Sequence, residues 1–244
     1  MSDAYQAETR ISLDDVHYGP LCPGERDLRL LGDVHGKNVL ELACGAAQNS
    51  IALSKWGARV TALDSSPSQL SKARALIVRE GVDVGLVRGD AERLSMFGDG
   101  PFDLVLSSFG WEFIPDLALC FRECARVLRA NGLLAVCTVH PLAAFEWDEE
   151  ERGLIVTDYF NPPVEVWEEQ PDVDGQAGLT FFRTVEEMFG LLVASGFRVE
   201  RIVEPFPYAQ GEKDNSPYTS RFWEGQYERL SRVPFSIVYV ARKR

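Results

Sequence analysis

The chain lacks any apolar run long enough to cross a bilayer: stretches such as Leu133 to Val139 fall far short of the ~18 residues a spanning helix needs. It also lacks a basic-then-apolar leader, so a cytoplasmic protein with no membrane partner is expected. C-x-x-C spacing is absent. The five cysteines are odd in number, and Cys44 and Cys137 stand in apolar, strand-like stretches where a thiol packs as a small hydrophobe. Neither a disulfide framework nor a structural zinc site is expected, and no metal ligands are assigned. Positive charge is scarce too: 25 Lys and Arg face 37 Asp and Glu, a formal charge of -12. Nucleic-acid binding rests on basic surface that displaces counterions from phosphates, so DNA and RNA are disfavoured as partners. Internal repeats and low-complexity tracts are missing as well.

What is present fits one globular unit of 244 residues, 45% apolar and 25% charged. From Val39 onward, short apolar runs alternate with helix-like segments, the pattern of a mostly parallel sheet covered on both faces. The strand candidates are Val39–Ala43, Arg59–Leu63, Val84–Val87, Phe102–Leu106, Leu133–Val139, Val199–Val203 and Ser236–Ala241. Helical spacing predicts helices over 47–56, 67–80, 116–129 and 184–194. Ser66 before Pro67 reads as an N-cap, Thr184 with Glu187 as a capping box, and Gly132 and Gly196 as helix stops. The expected fold is therefore α/β, a Rossmann-like seven-stranded sheet with an N-terminal lid over 1–36 and a substrate-side insertion over 141–180. Residues 37–140 form the binding core of this single domain, and 181–244 complete the sheet. Both irregular segments read as walls over a site. The acidic run from Glu146 to Glu151, continued by Glu165, Glu168, Glu169, Asp172 and Asp174, is either a solvated face or a field that attracts a cation.

Chemistry concentrates at the carboxyl ends of the strands. Val39-Leu40-Glu41-Leu42-Ala43-Cys44-Gly45-Ala46-Ala47 runs a strand into a small-residue turn that opens a helix, with Asn49 in that helix's first turn. A dinucleotide fingerprint would put glycines at 43, 45 and 48, yet only Gly45 is glycine, which disfavours a pyrophosphate-bearing ligand. Glu41 can hold an ammonium group, Asp64 with Ser65 can accept ribose hydroxyls, and Asp90-Ala91-Glu92 can meet an adenine. Ser107-Ser108-Phe109-Gly110-Trp111 ends the fourth strand. The G-x-x-x-G-K of Gly32 to Lys37 precedes its strand and lacks Ser or Thr, and Asn161-Pro162-Pro163 reads as a loop bend.

The ordered set ELACGAAQNS, VTALDSSPSQL, RGDAERL, FDLVLSSFGWEFIPD and RVLRANGLLAV resembles the class I S-adenosylmethionine (SAM)-dependent methyltransferases. Val16-His17-Tyr18-Gly19-Pro20 resembles the lead-in of actinobacterial antibiotic-tailoring members. The resemblance implies SAM as cofactor, a small-molecule acceptor and a last strand antiparallel to the other six. On that reading Tyr18, Glu41, Ala43, Gly45, Asn49, Asp64, Ser65, Asp90, Ala91, Glu92, Ser107 and Phe109 are the expected cofactor contacts.

Tyr18, Phe109 and Trp111 are candidate aromatic walls, with plain packing the alternative for Phe109 and Trp111. His140, directly after the fifth strand, is the candidate base, or else a residue that orders its loop. Tyr5, His17, Tyr159 and Trp167 are further acceptor-side candidates. Tyr159, Trp167, Phe181 and Phe182 can line the acceptor pocket, fasten the insertion to the sheet or form an interface between subunits. A nitrogen acceptor is favoured over oxygen; a SAM-binding protein without transfer activity and an NAD-dependent oxidoreductase are the rivals from other classes.

Overall fold

The computed structural model describes residues 9–167 and 178–244. Seven strands form the central sheet: β1 Asn38–Leu42, β2 Arg59–Asp64, β3 Val84–Arg88, β4 Phe102–Ser108, β5 Leu128–Val139, β6 Phe197–Val203 and β7 Ser236–Lys243. Their order is β6-β7-β5-β4-β1-β2-β3, with β7 antiparallel to both neighbours and the pairs from β5 to β3 parallel. The chain reverses its direction of travel between β1 and β4, the crevice where open α/β sheets take ligands.

Period-two alternation sends each strand's side chains to two cores. Val39, Val60, Leu106, Ala135, Cys137 and Val238 face helix α1 (Gln48–Lys55) and α2 (Pro67–Glu80). Leu40, Val105, Val136, Ile237 and Tyr239 face α3 (Leu117–Val127) and α4 (Val185–Ala194). Burying one such aliphatic side chain contributes about 1.5–3 kcal/mol, so the alternation fixes the register.

The predicted caps form. Ser66 accepts from the Gln69 amide at 3.3 Å and Thr184 from the Glu187 amide at 3.2 Å, and Gly196 closes α4 at φ 92°. One stop differs. The left-handed residue at the α3–β5 corner is Asn131, at φ 60°, and β5 has already begun at Leu128. Gly132 serves close packing instead, since a Cβ there would lie 2.9 Å from the Arg129 carbonyl oxygen.

The N-terminal segment also departs from the expectation of a lid. Val16, Tyr18 and Leu21 are at most 1% exposed, and Val16 and Tyr18 join the α1-side core. The segment is sewn down by Ser236 Oγ donating to the Tyr18 carbonyl at 2.6 Å and by the Leu21 amide donating to the Tyr218 carbonyl at 2.8 Å. The insertion carries two small antiparallel hairpins, Glu146–Asp148 with Gly153–Ile155 and Glu165–Trp167 with Gly178–Thr180. All five cysteines are free and buried. Among the described residues no helix is long and apolar enough to cross a membrane, and no cluster of His, Cys, Asp or Glu is arranged to hold a metal.

Candidate cofactor and acceptor site

The turn after β1 takes three left-handed residues, Ala43 at φ 48°, Gly45 at 54° and Ala47 at 61°. The demanding positions are therefore 43, 45 and 47, because Gln48 already opens α1. An alanine in this region costs roughly 1–2 kcal/mol, which the surroundings offset: Ala47 is fully buried, and the Cys44 amide donates to the Leu63 carbonyl at 3.0 Å. Gly45 faces open space, where an added Cβ would meet nothing nearer than Gln69 Oε1 at 3.8 Å.

Asp64, at the end of β2, sets its carboxylate against this turn. Oδ2 accepts from the Gly45 amide at 2.8 Å and Oδ1 from the Ser66 amide at 2.9 Å. Beneath the turn, the Ser50 hydroxyl donates to Glu41, and the Asn49 side chain bonds it as well. Burial pushes the Glu41 carboxyl up to about 7, against the pull of those hydrogen bonds. Asn49 Oδ1 in turn accepts from the His17 amide at 3.1 Å.

At the end of β3, Asp90 Oδ1 accepts from the Glu92 amide at 2.9 Å, and Glu92 Oε1 accepts from the Asp116 amide at 2.8 Å. Glu92 thereby ties this turn to the start of α3. Ala91 packs against the α3-side core, and Ser65 is exposed with its carbonyl accepting from Arg88 Nε at 3.3 Å. The Ser107 hydroxyl is buried with no protein partner. An open glycine turn, a carboxylate anchored beside it and an unsatisfied hydroxyl at the end of β4 fit a nucleoside that carries an amino-acid arm.

Beyond β4 the walls are aromatic. Phe109, left-handed at φ 59°, donates its amide to the Cys137 carbonyl at 3.0 Å. The His17 ring lies parallel to it, with centroids 5.9 Å apart and planes 11° off, while Tyr218 meets His17 edge-on at 5.2 Å. Phe235 extends the cluster at 5.9 Å from Phe109, and Trp223 lies 4.6 Å beyond it, ring centroid to ring centroid. Burial holds His17 down at about 4, so its ring is neutral, and Nδ1 has no protein partner.

Several expected roles do not survive this geometry. Tyr18 is core: its hydroxyl donates to Glu25 Oε2 at 2.7 Å, and that carboxylate also accepts the Leu30 and Leu31 amides. Trp111 is fully buried on the α3 side, with Nε1 donating to the Ser107 carbonyl at 3.1 Å and its ring against Phe121. It lines no acceptor wall.

His140 has no free lone pair. Its Nδ1 accepts from the Leu142 amide at 3.1 Å, which leaves the proton on Nε2, facing Glu204 Oε1 at 3.0 Å. With its own amide donating to the Phe235 carbonyl at 2.8 Å, His140 straps the ends of β5, β6 and β7 together. It orders its loop and does not act as a base in this arrangement. Tyr159 is half-buried beside Phe160, near enough to Tyr239 to influence that hydroxyl. Tyr5 lies outside the described residues, and of Trp167 only the backbone, in its short strand, is described.

Sequence reasoning missed Tyr218, Trp223 and Phe235. They lie between β6 and β7, where the apolar pattern breaks into Pro, Gly and scattered aromatics, and only tertiary contact gathers them beside His17.

Residues 40–136 match the family model described as a methyltransferase domain. An uncharacterized methyltransferase of Bacillus subtilis (strain 168), YbaJ, is 29% identical over 178 residues, 70% of this chain and 69% of the relative. A ubiquinone biosynthesis O-methyltransferase of Caulobacter vibrioides is 31% identical over 116 residues, 48% of this chain and 46% of that protein, so the chain spans about half of it. A crystal structure of an S-adenosylmethionine-dependent methyltransferase from Mesorhizobium loti superposes with a TM-score of 0.69 at 26% identity, covering 88% of this chain and 95% of that one.

Proposed function

We propose that this S-adenosylmethionine-dependent methyltransferase places the methyl group on a nitrogen of a small molecule, using the acceptor's own lone pair and no strong protein base. The bound cofactor supplies a methyl carbon activated by a sulfonium and open to in-line displacement. The chain's part is to hold and align. Asp64 and the Gly45 turn grip the ribose and the amino-acid arm, and Glu41 with Ser50 and Asn49 stiffens that turn from below. Phe109, Trp223 and Phe235 exclude water beside the methyl.

One observation carries the nitrogen reading: neither histidine near the ends of β4 and β5 is fit to take a proton near neutral pH. Both ring nitrogens of His140 are committed to protein partners, and His17 is held down at about 4 by burial. Glu112, pushed up to about 7 by burial, bonds Thr138 Oγ1 at 3.2 Å on the α3 face, opposite the aromatic cluster. A neutral amine needs no base to attack, whereas a hydroxyl must lose its proton as the bond forms. The product ammonium then gives its proton to solvent.

A specialised metabolite of the antibiotic kind is the acceptor class we favour, on the likeness of Val16-His17-Tyr18-Gly19-Pro20 to tailoring enzymes. An oxygen acceptor is the second reading, favoured by the O-methyltransferase relative. Mass spectrometry for a 14-dalton gain across matched amine and phenol panels separates them. Gain on amines alone is expected; gain on phenols alone selects the second reading, and SAM binding with no gain on either panel favours a binding protein.

A further inference from the structure

We infer that the acceptor is a planar aromatic molecule, laid against the rings of Phe109, Trp223 and Phe235 and hydrogen-bonded to Nδ1 of His17. This rests on the methyltransferase reading and specifies the ligand of the same site.

Histidine at position 17 is poorly explained by packing alone. The residue is 8% exposed, yet Nδ1 meets no protein donor or acceptor. A buried polar atom left so is costly, and a phenylalanine would fill the space without that cost. The ring is also held on purpose. Its own amide is fixed by Asn49 Oδ1, whose side chain reaches Glu41 under the cofactor turn. Its carbonyl accepts from Ser108 Oγ at 3.0 Å, at the end of β4. His17 is thus clamped between the cofactor loop and the strand that ends beside the methyl.

The surrounding rings decide the ligand class. His17 and Tyr218 are buried, while Phe109, Trp223 and Phe235 remain half-buried and keep part of their surface for a ligand. They arrive from three elements: the β4 turn, the short helix Arg221–Gly225 and the entry to β7. Ring faces and edges favour a flat π system over a saturated skeleton of equal size, because offset and edge-to-face contacts add to the burial of area. One buried hydrogen-bonding nitrogen beneath these rings then fixes the orientation of the acceptor, which in-line displacement requires.

The test uses the full chain saturated with S-adenosylhomocysteine and two probes of related skeleton, 8-aminoquinoline and decahydroquinoline, titrated calorimetrically. The aromatic probe is expected to bind at least tenfold more tightly. His17→Phe keeps a ring against Phe109 and removes the nitrogen. It is expected to weaken 8-aminoquinoline at least tenfold, with S-adenosylhomocysteine affinity unchanged and thermal stability equal or higher. Equal affinity of wild type and variant for 8-aminoquinoline overturns the inference, as does the absence of any preference between the probes. A parallel loss of S-adenosylhomocysteine affinity in the variant also overturns it, since the rings would then belong to the cofactor. Failure of the wild type to bind S-adenosylhomocysteine is a different result, visible in the first titration, and strikes the methyltransferase reading itself.

Discussion

Asp64 Oδ2 accepts a 2.8 Å hydrogen bond from the Gly45 amide, so the carboxylate at the end of β2 and the turn after β1 are one unit. An acid that anchors the turn while facing the crevice has two jobs, and they separate by substitution. Asp64→Asn keeps a carbonyl oxygen for the amide but loses the charge. It should leave the melting temperature within a few degrees and weaken cofactor binding by roughly 10- to 100-fold, the loss of one or two charge-assisted hydrogen bonds. Calorimetry with S-adenosylhomocysteine reads the second effect and a thermal melt the first.

Ala43 and Gly110 are coupled by contact. A Cβ at residue 110 would stand 2.4 Å from that of Ala43 and 2.7 Å from Ser107 Oγ. Gly110→Ala should cost about 1–3 kcal/mol through overpacking. Ala43→Gly removes both the opposing methyl and the strain of an alanine at φ 48°, and should recover part of that loss. A double-mutant cycle by denaturant unfolding should show a coupling of at least about 0.5 kcal/mol, since the residues touch.

His140→Ala should destabilise the protein by about 1–3 kcal/mol, because the Leu142 amide and Glu204 lose their buried partner. Turnover of amine acceptors should fall by only a modest factor, with the shape of the kcat–pH profile unchanged. A collapse of kcat together with loss of a titration near neutrality would restore His140 as a base.

Stability should carry two opposed pH dependences. His17 falls from 6.5 to about 4 on folding, so the unfolded chain binds the extra proton between those values, and stability is lost as pH drops through that window. The full loss is roughly 3 kcal/mol. Glu41 rises from 4.5 to about 7, so the folded chain holds the extra proton, and stability is lost as pH rises through that window. The windows overlap between 4.5 and 6.5, where the slopes offset one another, so thermal melts from pH 4 to 8 check the signs by difference. His17→Phe should lose more stability than the wild type as pH rises through that range, and Glu41→Gln less, with Glu112, also raised to about 7, adding a slope of the same sign as Glu41.

The sheet was legible because β1, β2, β4 and β5 carry apolar runs at strand length, and the start of α2 because Ser66 and Pro67 mark it; its left-handed stop at Gly81 was not read from the sequence. The turn after β1 was legible from its small residues, and the carboxylate set against it from the position of Asp64 at the end of the next strand. Asn131 was not, since its left-handed conformation follows from the corner that brings Leu128 into β5. His140 read equally as a base or as a residue that orders its loop, because nothing local reveals Glu204, 64 residues away, as its partner. The aromatic cluster was invisible for the same reason: His17 and Tyr218 meet across the whole domain, and contacts between distant irregular segments leave no period in the sequence.

Calorimetric titration of the wild-type chain with S-adenosylhomocysteine, beside a matched titration with NAD, bears most directly on the crevice between β1 and β4. One saturable site for S-adenosylhomocysteine and no binding of NAD is the predicted result. Binding of NAD in its place, or of neither, would contradict the account.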